Sequence, residues 1–269
     1  MSSHSDPEWR PLVLDRAMTR TVRAAANGRD YRISVFAPDA APPPGGFPSL
    51  IVLDGSALFA TVAETANRLS RRPEATGVQP AVIIGVGHHG EGLYDLAQRH
   101  RDFTPGPAAA EATPHETGGA DRFLAFLIDE LLPLVAQTVP LDPTRRALVG
   151  HSLAGLFTLH ALASRPAAFA AYGAISPSIW WDREGVTQAI SGLNDRSPLL
   201  FLAAGERERT PPGARHSERM MVESVEELAV IAAPLIETTL NIFPDEDHGS
   251  IVSVAVTRFL RFCGTDDWR

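Results

Sequence analysis

The stretch Ala147-Leu148-Val149-Gly150-His151-Ser152-Leu153-Ala154-Gly155-Leu156-Phe157 decides the fold. Its first residues are apolar and suit a strand. Those after Ser152 suit a helix. A serine at so abrupt a junction has two readings. It caps an ordinary helix, or the tight turn pushes its hydroxyl beyond the sheet, where it can act as a nucleophile. The second reading wants small residues two places before and two places after the serine, so that strand and helix approach closely. Gly150 meets the first requirement. Ala154 meets the second with one extra methyl group, and Gly155 follows it.

Working outward, short apolar runs alternate with amphipathic ones. Strands are expected at 31–36, 50–53, 81–86, 146–149, 171–175, 199–203 and 236–243. Helices are expected at 57–72, 122–138, 153–164, 217–233 and 251–262. In 122–138 the apolar residues Phe123, Leu124, Leu127, Leu131 and Leu134 follow helical spacing, and Pro133 is expected to kink it. Residues 37–48 are a loop by composition, and 104–119, rich in Pro, Ala and Gly, reads as a mobile loop or lid. The alternation implies an α/β fold, a mostly parallel sheet with helices on both faces. In such sheets the chemistry lies beyond the carboxyl ends of the strands.

The bulk numbers fit this. A chain of 269 residues holds one large α/β domain, read as spanning 1–269 with 1–19 as an N-terminal extension. The formal charge of −8 (24 basic, 32 acidic residues) argues against nucleic acid or an anionic membrane as a partner. Cys263 is the one cysteine, so no internal disulfide forms. The first twenty residues lack the apolar core of a signal peptide. No run approaches the roughly 18 apolar residues of a membrane span. A soluble, cytoplasmic protein is expected.

If Ser152 is a nucleophile, it needs a base, then an acid to orient the base. In hydrolases of this architecture the base comes last in the chain. His248, in Phe243-Pro244-Asp245-Glu246-Asp247-His248-Gly249-Ser250, follows the last expected strand and precedes the last helix. The alternative is an exposed loop histidine among acids. The acid should follow the preceding strand. Glu208 lies three residues after Gly205 and is favoured; Glu206 or a dyad without an acid stays open. Two backbone N–H groups must hold the oxyanion. One is that of Leu153. The other is expected from Gly55 or Ser56, after strand 50–53, where a glycine would let backbone approach the substrate. A plain tight turn is the alternative there.

Six segments together resemble a known family: Leu-Asp-Gly-Ser-Ala-Leu-Phe (53–59), Arg-His-Arg-Asp-Phe-Thr-Pro (99–105), Gly-His-Ser-Leu-Ala-Gly-Leu-Phe (150–157), Ala-Ile-Ser-Pro-Ser-Ile-Trp-Trp (174–181), Gly-Glu-Arg-Glu (205–208) and Asp-Glu-Asp-His-Gly-Ser (245–250). In this order they resemble the esterase D-like branch of the α/β-hydrolases. Within it they are most similar to the ferric-siderophore esterases, which hydrolyse enterobactin-type trilactones. The resemblance covers roughly residues 20–262. It implies Ser152 as nucleophile and His248 as base. It also implies Arg99, with Arg101 nearby, facing an anionic substrate; surface pairing with Asp95 and Asp102 is the alternative. Trp180 and Trp181 would stack on an aromatic acyl group, with one of the two expected to fill core instead. The implied partner is a small-molecule ester, with no metal and no organic cofactor. An esterase or acyltransferase for other small aromatic or acetyl esters remains open, as does a ligand-binding homologue without activity.

Overall fold

The structure is a computed structural model that describes residues 12–90, 92–109, 113–194, 197–211 and 219–264. Its strands are β1 (Ala17–Arg23), β2 (Asp30–Phe36), β3 (Phe47–Leu53), β4 (Val82–His88), β5 (Leu141–His151), β6 (Ala171–Ile175), β7 (Leu199–Gly205) and β8 (Glu237–Phe243). They form one sheet in the order β1-β2-β4-β3-β5-β6-β7-β8. β1 and β2 are antiparallel to their neighbours, and the six strands from β4 to β8 run parallel. Every residue of β3, β4 and β6 is buried, as a sheet covered on both faces requires.

The helices are α1 (Gly55–Leu69), α2 (Pro73–Thr76), α3 (Leu96–Phe103), α4 (Ala120–Ala125), α5 (Leu132–Ala136), α6 (Leu153–Ser164), α7 (Arg183–Ser191), α8 (Met221–Ala232) and α9 (Ile251–Gly264). Tyr31, Phe103, Phe123, Phe126 and Phe157 centre the apolar layer on one face of the sheet. Phe59, Phe201 and Phe259 centre the other. Among the described residues, no helix is long and apolar enough to cross a membrane.

Several elements differ from the expectation. The continuous helix 122–138 is three pieces, α4, a π-helical turn at Phe126–Leu131, and α5. Pro133 lies in the first turn of α5, where its missing N–H is tolerated. The distortion therefore sits before the proline rather than at it. β1 begins at Ala17, inside the expected N-terminal extension; residues 1–11 of that extension lie outside the described residues. The helix expected at 217–233 is seen as α8, with 217–218 likewise outside. In the loop 104–119, residues 110–112 are outside. The arms on either side are tied down: the Ala109 N–H donates to the Trp181 carbonyl (2.8 Å) and the Gly118 N–H to the Thr104 carbonyl (3.1 Å).

Because β3, β5, β6, β7 and β8 are parallel, their carboxyl ends share one edge. Asp54, Ser152, Ser176, Glu208 and the 244–250 loop all follow those ends.

Candidate active site

Ser152 links β5 to α6 with φ 62 and ψ −119, a conformation that L residues rarely adopt. Its N–H donates to the Ile175 carbonyl (3.0 Å). A Cβ built on Gly150 would lie 2.2 Å from the Ala154 carbonyl oxygen, so nothing larger than glycine fits there. The methyl of Ala154 is accommodated in the helix that passes over Gly150. Gly155 lies against Pro177.

The Ser152 Oγ is 3.4 Å from the Ser178 Oγ. Both serines face a cavity of about 770 Å³, along with Leu153, Glu208, His248 and Trp180. His248 is half exposed on the loop after β8. The Asp247 carboxylate accepts the N–H groups of Gly249 and Ser250 (2.9 Å each), a tight turn that presents the imidazole. The His248 Nδ1 lies 2.6 Å from the Glu208 Oε2. With Nδ1–H committed to a carboxylate, Nε2 is the nitrogen left to accept a proton.

Glu208 is well anchored. Its Oε1 accepts from the Ser176 hydroxyl (2.5 Å) and the Gly205 N–H (2.9 Å). Burial pushes its carboxyl up, but the bonds from His248, Ser176 and Gly205 outweigh burial and hold it below the usual carboxylate range. Glu206 points away and accepts the Asp245 N–H (3.3 Å). Of the two candidate acids, Glu208 is the one brought to His248.

Leu153 begins α6, so its N–H has no partner within the helix, and the residue lines the cavity. Gly55 and Ser56 begin α1 at the end of β3. A Cβ on Gly55 would lie 2.6 Å from the Val86 nitrogen, so close packing on β4 demands a glycine there. Ser56 borders a smaller cleft of about 120 Å³ beside Asp54 and Tyr94.

Arg99 is placed differently from the expectation too. It does not line the large cavity. It is 7 % exposed, and its Nε donates to both oxygens of Asp54 (2.9 and 3.1 Å). Arg101 instead bonds Asp102 in the bidentate manner (2.7 and 2.8 Å). Both tryptophans border the cavity. Trp181 is buried and its indole N–H donates to the Gly106 carbonyl (3.0 Å). Trp180 is half-buried, with the Arg219 guanidinium 4.6 Å from its ring centre. Trp181 therefore fills core as well as wall, while Trp180 keeps more of its ring open.

Sequence reasoning passed over Asp54, His151, Ser176 and Ser178. Ser176 and Ser178 sit inside the segment 174–181, just before the two tryptophans. The only local signal was two serines flanking Pro177 at a strand's end.

This sheet order, with a strained serine turn after β5 and a histidine after the last strand held by a carboxylate after the one before, defines an α/β-hydrolase. Comparison with known proteins places it further. A family model described as "Putative esterase" matches residues 24–209. The chain is 36% identical over 260 residues to the ferri-bacillibactin esterase BesA of Bacillus subtilis (strain 168), spanning 90% of this chain and 88% of that one. It is 34% identical over 249 residues to the siderophore enterobactin esterase of Emericella nidulans, spanning 80% and 81%. Among solved structures, the BES protein from Bacillus cereus matches with a TM-score of 0.86 at 30% identity, over 96% of this chain and 98% of that one. The siderophore hydrolase EstA from Aspergillus nidulans matches with a TM-score of 0.79 at 28% identity, over 96% and 98%. The chain belongs to this esterase family and is a hydrolase of carboxylic esters.

Proposed function

We propose that the chain is one α/β-hydrolase domain that opens a siderophore trilactone of the enterobactin type, in the cytoplasm, through an acyl-enzyme on Ser152. The observation that carries this reading is the Ser176–Glu208–His248 relay ending at the cavity that Ser152 faces. The printed names of the relatives supply the substrate class, since they act on ferri-bacillibactin and enterobactin.

In this mechanism the His248 Nε2 takes the Ser152 proton as Oγ attacks the ester carbonyl. Glu208 stabilises the imidazolium through Nδ1–H. The Leu153 N–H and that of Gly55 or Ser56 hold the tetrahedral oxyanion. The C–O bond to the leaving alcohol breaks, and Nε2–H protonates that alcohol. Water, deprotonated by His248, then attacks the acyl-enzyme, and Ser152 regains its proton as the acid leaves. Trp180 offers a flat face for an aromatic acyl group, and the charges of Arg207 and Arg219 on the cavity wall suit an anionic one.

Mass-spectrometric product analysis tests this, with a catecholate trilactone set against p-nitrophenyl acetate and butyrate. The wild type should open the trilactone with the higher kcat/KM, and Ser152→Ala should reduce turnover by about a thousandfold or more. Faster turnover of the acetyl ester than of the trilactone would sink the substrate class. Full turnover by Ser152→Ala would sink the mechanism.

A further inference from the structure

The Arg99 guanidinium joins two chain segments that are far apart in sequence. Its Nε holds both carboxylate oxygens of Asp54 (2.9 and 3.1 Å), and its Nη2 donates to the His151 carbonyl (3.5 Å). Asp54 immediately precedes Gly55. His151 immediately precedes Ser152, and Leu153 follows. One side chain therefore touches the residue just before each of the two loops expected to hold the oxyanion.

Asp54 shows what this contact does. It stands at φ 51, ψ 44 as the N-cap of α1, a left-handed conformation costly for a residue other than glycine. Asp favours N-caps because its carboxylate usually accepts a helix N–H. Here the side chain makes no such bond and is spent on Arg99 instead. The pair is buried on both sides, so it is little screened. The rings of Tyr94 and Phe103 lie 5.2 and 5.7 Å from the guanidinium carbon and limit how it can turn.

The helix that carries Arg99 is fixed at both ends. The Asp95 carboxylate caps its start by accepting the Gln98 N–H (3.0 Å). Near its end, Asp102 accepts from Arg101 and from the buried Tyr31 hydroxyl (2.9 Å), with the His88 Nε2 at 3.1 Å. Arg99 therefore projects from a rigid base.

We propose that Arg99 is a positioning residue that sets the spacing between the Gly55/Ser56 amides and the Leu153 amide, through Asp54 on one side and His151 on the other. The inference rests on Ser152 being the nucleophile. It assigns Arg99 to the oxyanion site and takes it away from direct contact with an anionic substrate. An Arg-to-Lys change tests it well, because lysine keeps the charge but lacks the planar guanidinium whose Nε reaches Asp54 while its Nη2 reaches the His151 carbonyl.

The experiment compares wild type, Arg99→Lys and Asp54→Asn on a neutral p-nitrophenyl butyrate and on a p-nitrophenyl ester with a terminal carboxylate. Asp54→Asn serves should Arg99→Lys not fold, and thermal melts check each variant. Both variants should lose about tenfold or more in kcat on both esters, with KM moving by less than about twofold. Affinity for a trifluoromethyl ketone, whose oxyanion occupies the same amides, should fall in step with kcat/KM. The acid limb of the pH profile should stay in place, since His248 and Glu208 are untouched. A folded variant with wild-type kcat overturns the inference, as does a rise in KM confined to the carboxylate ester. Ser152→Ala is assayed alongside. If it retains turnover, the nucleophile assignment itself is wrong. If it is inactive while the Arg99 and Asp54 variants turn over normally, the positioning role alone is wrong.

Discussion

His151 packs against His248 with ring centres 4.5 Å apart and ring planes tilted by 42°, and its Nε2 has no hydrogen-bond partner among the described residues. Burial, reinforced by His248 and Arg99, brings its pKa down to about 3. Folding therefore keeps the ring neutral where the unfolded chain takes up a proton near pH 6.5. Below that pH the unfolded state binds more protons, so this contribution is complete above about pH 6.5 and is lost as pH falls toward 3. His151→Phe keeps an aromatic face for His248 without a titrating nitrogen. Urea melts should show its stability falling less than wild type between about pH 7.5 and 5, by on the order of 1 kcal/mol per pH unit below 6.5. Under the proposed mechanism neutrality also matters for rate, because a charged ring there would oppose an imidazolium on His248. Glu208 is held down for the opposite chemical reason, by donors. Its share of stability is present above about pH 4.5 and fades as pH drops through its lowered value. Glu208→Gln should cut kcat about a hundredfold, measured on p-nitrophenyl butyrate near pH 8, through loss of the His248 orientation.

The turn between β5 and α6 is where local shape and chemistry meet. Gly150→Ala would force a methyl into the α6 backbone at the Ala154 carbonyl. Calorimetry should show about 2–4 kcal/mol of lost stability, with activity falling further as Ser152 shifts. Ala154→Gly should leave the site intact and cost only the roughly 1 kcal/mol of a helix glycine. These two positions were legible in advance, since close packing at an elbow follows from residue size alone. So were α6 and β6, whose apolar runs end at clear boundaries. β1 was not, because Ala-Met-Thr-Arg-Thr-Val-Arg is an exposed edge strand with one fully buried position. Nor was α3, an eight-residue helix of mostly polar side chains. Within the site, chain order pointed to Ser152, Glu208 and His248, because strand ends in a parallel sheet must share an edge. Arg99 was misplaced for a different reason. Its partner Asp54 lies 45 positions away, and nothing local to either residue announces a buried pair. The π-helical turn was hidden because hydrophobic spacing does not register a single slipped hydrogen bond.

Over the whole molecule, a formal charge of −8 opposes an anionic substrate, yet the cavity wall carries Arg207 and Arg219. Distance decides between them. At about 0.15 M salt the field of remote carboxylates is screened beyond roughly 8 Å. A guanidinium on the wall acts inside that range. Arg207 pairs with Asp245 (3.2 Å), and the Arg219 guanidinium lies against the Trp180 ring, which brings charge and aromatic face together on the wall. All 24 basic residues are arginine, whose planar guanidinium suits a carboxylate. Arg219→Gln should raise the KM for a carboxylate-bearing p-nitrophenyl ester about five- to tenfold at physiological salt, with kcat little changed, while KM for the neutral butyrate moves less than about twofold. Equal rises for both esters would mean that Arg219 acts by packing Trp180 rather than through its charge.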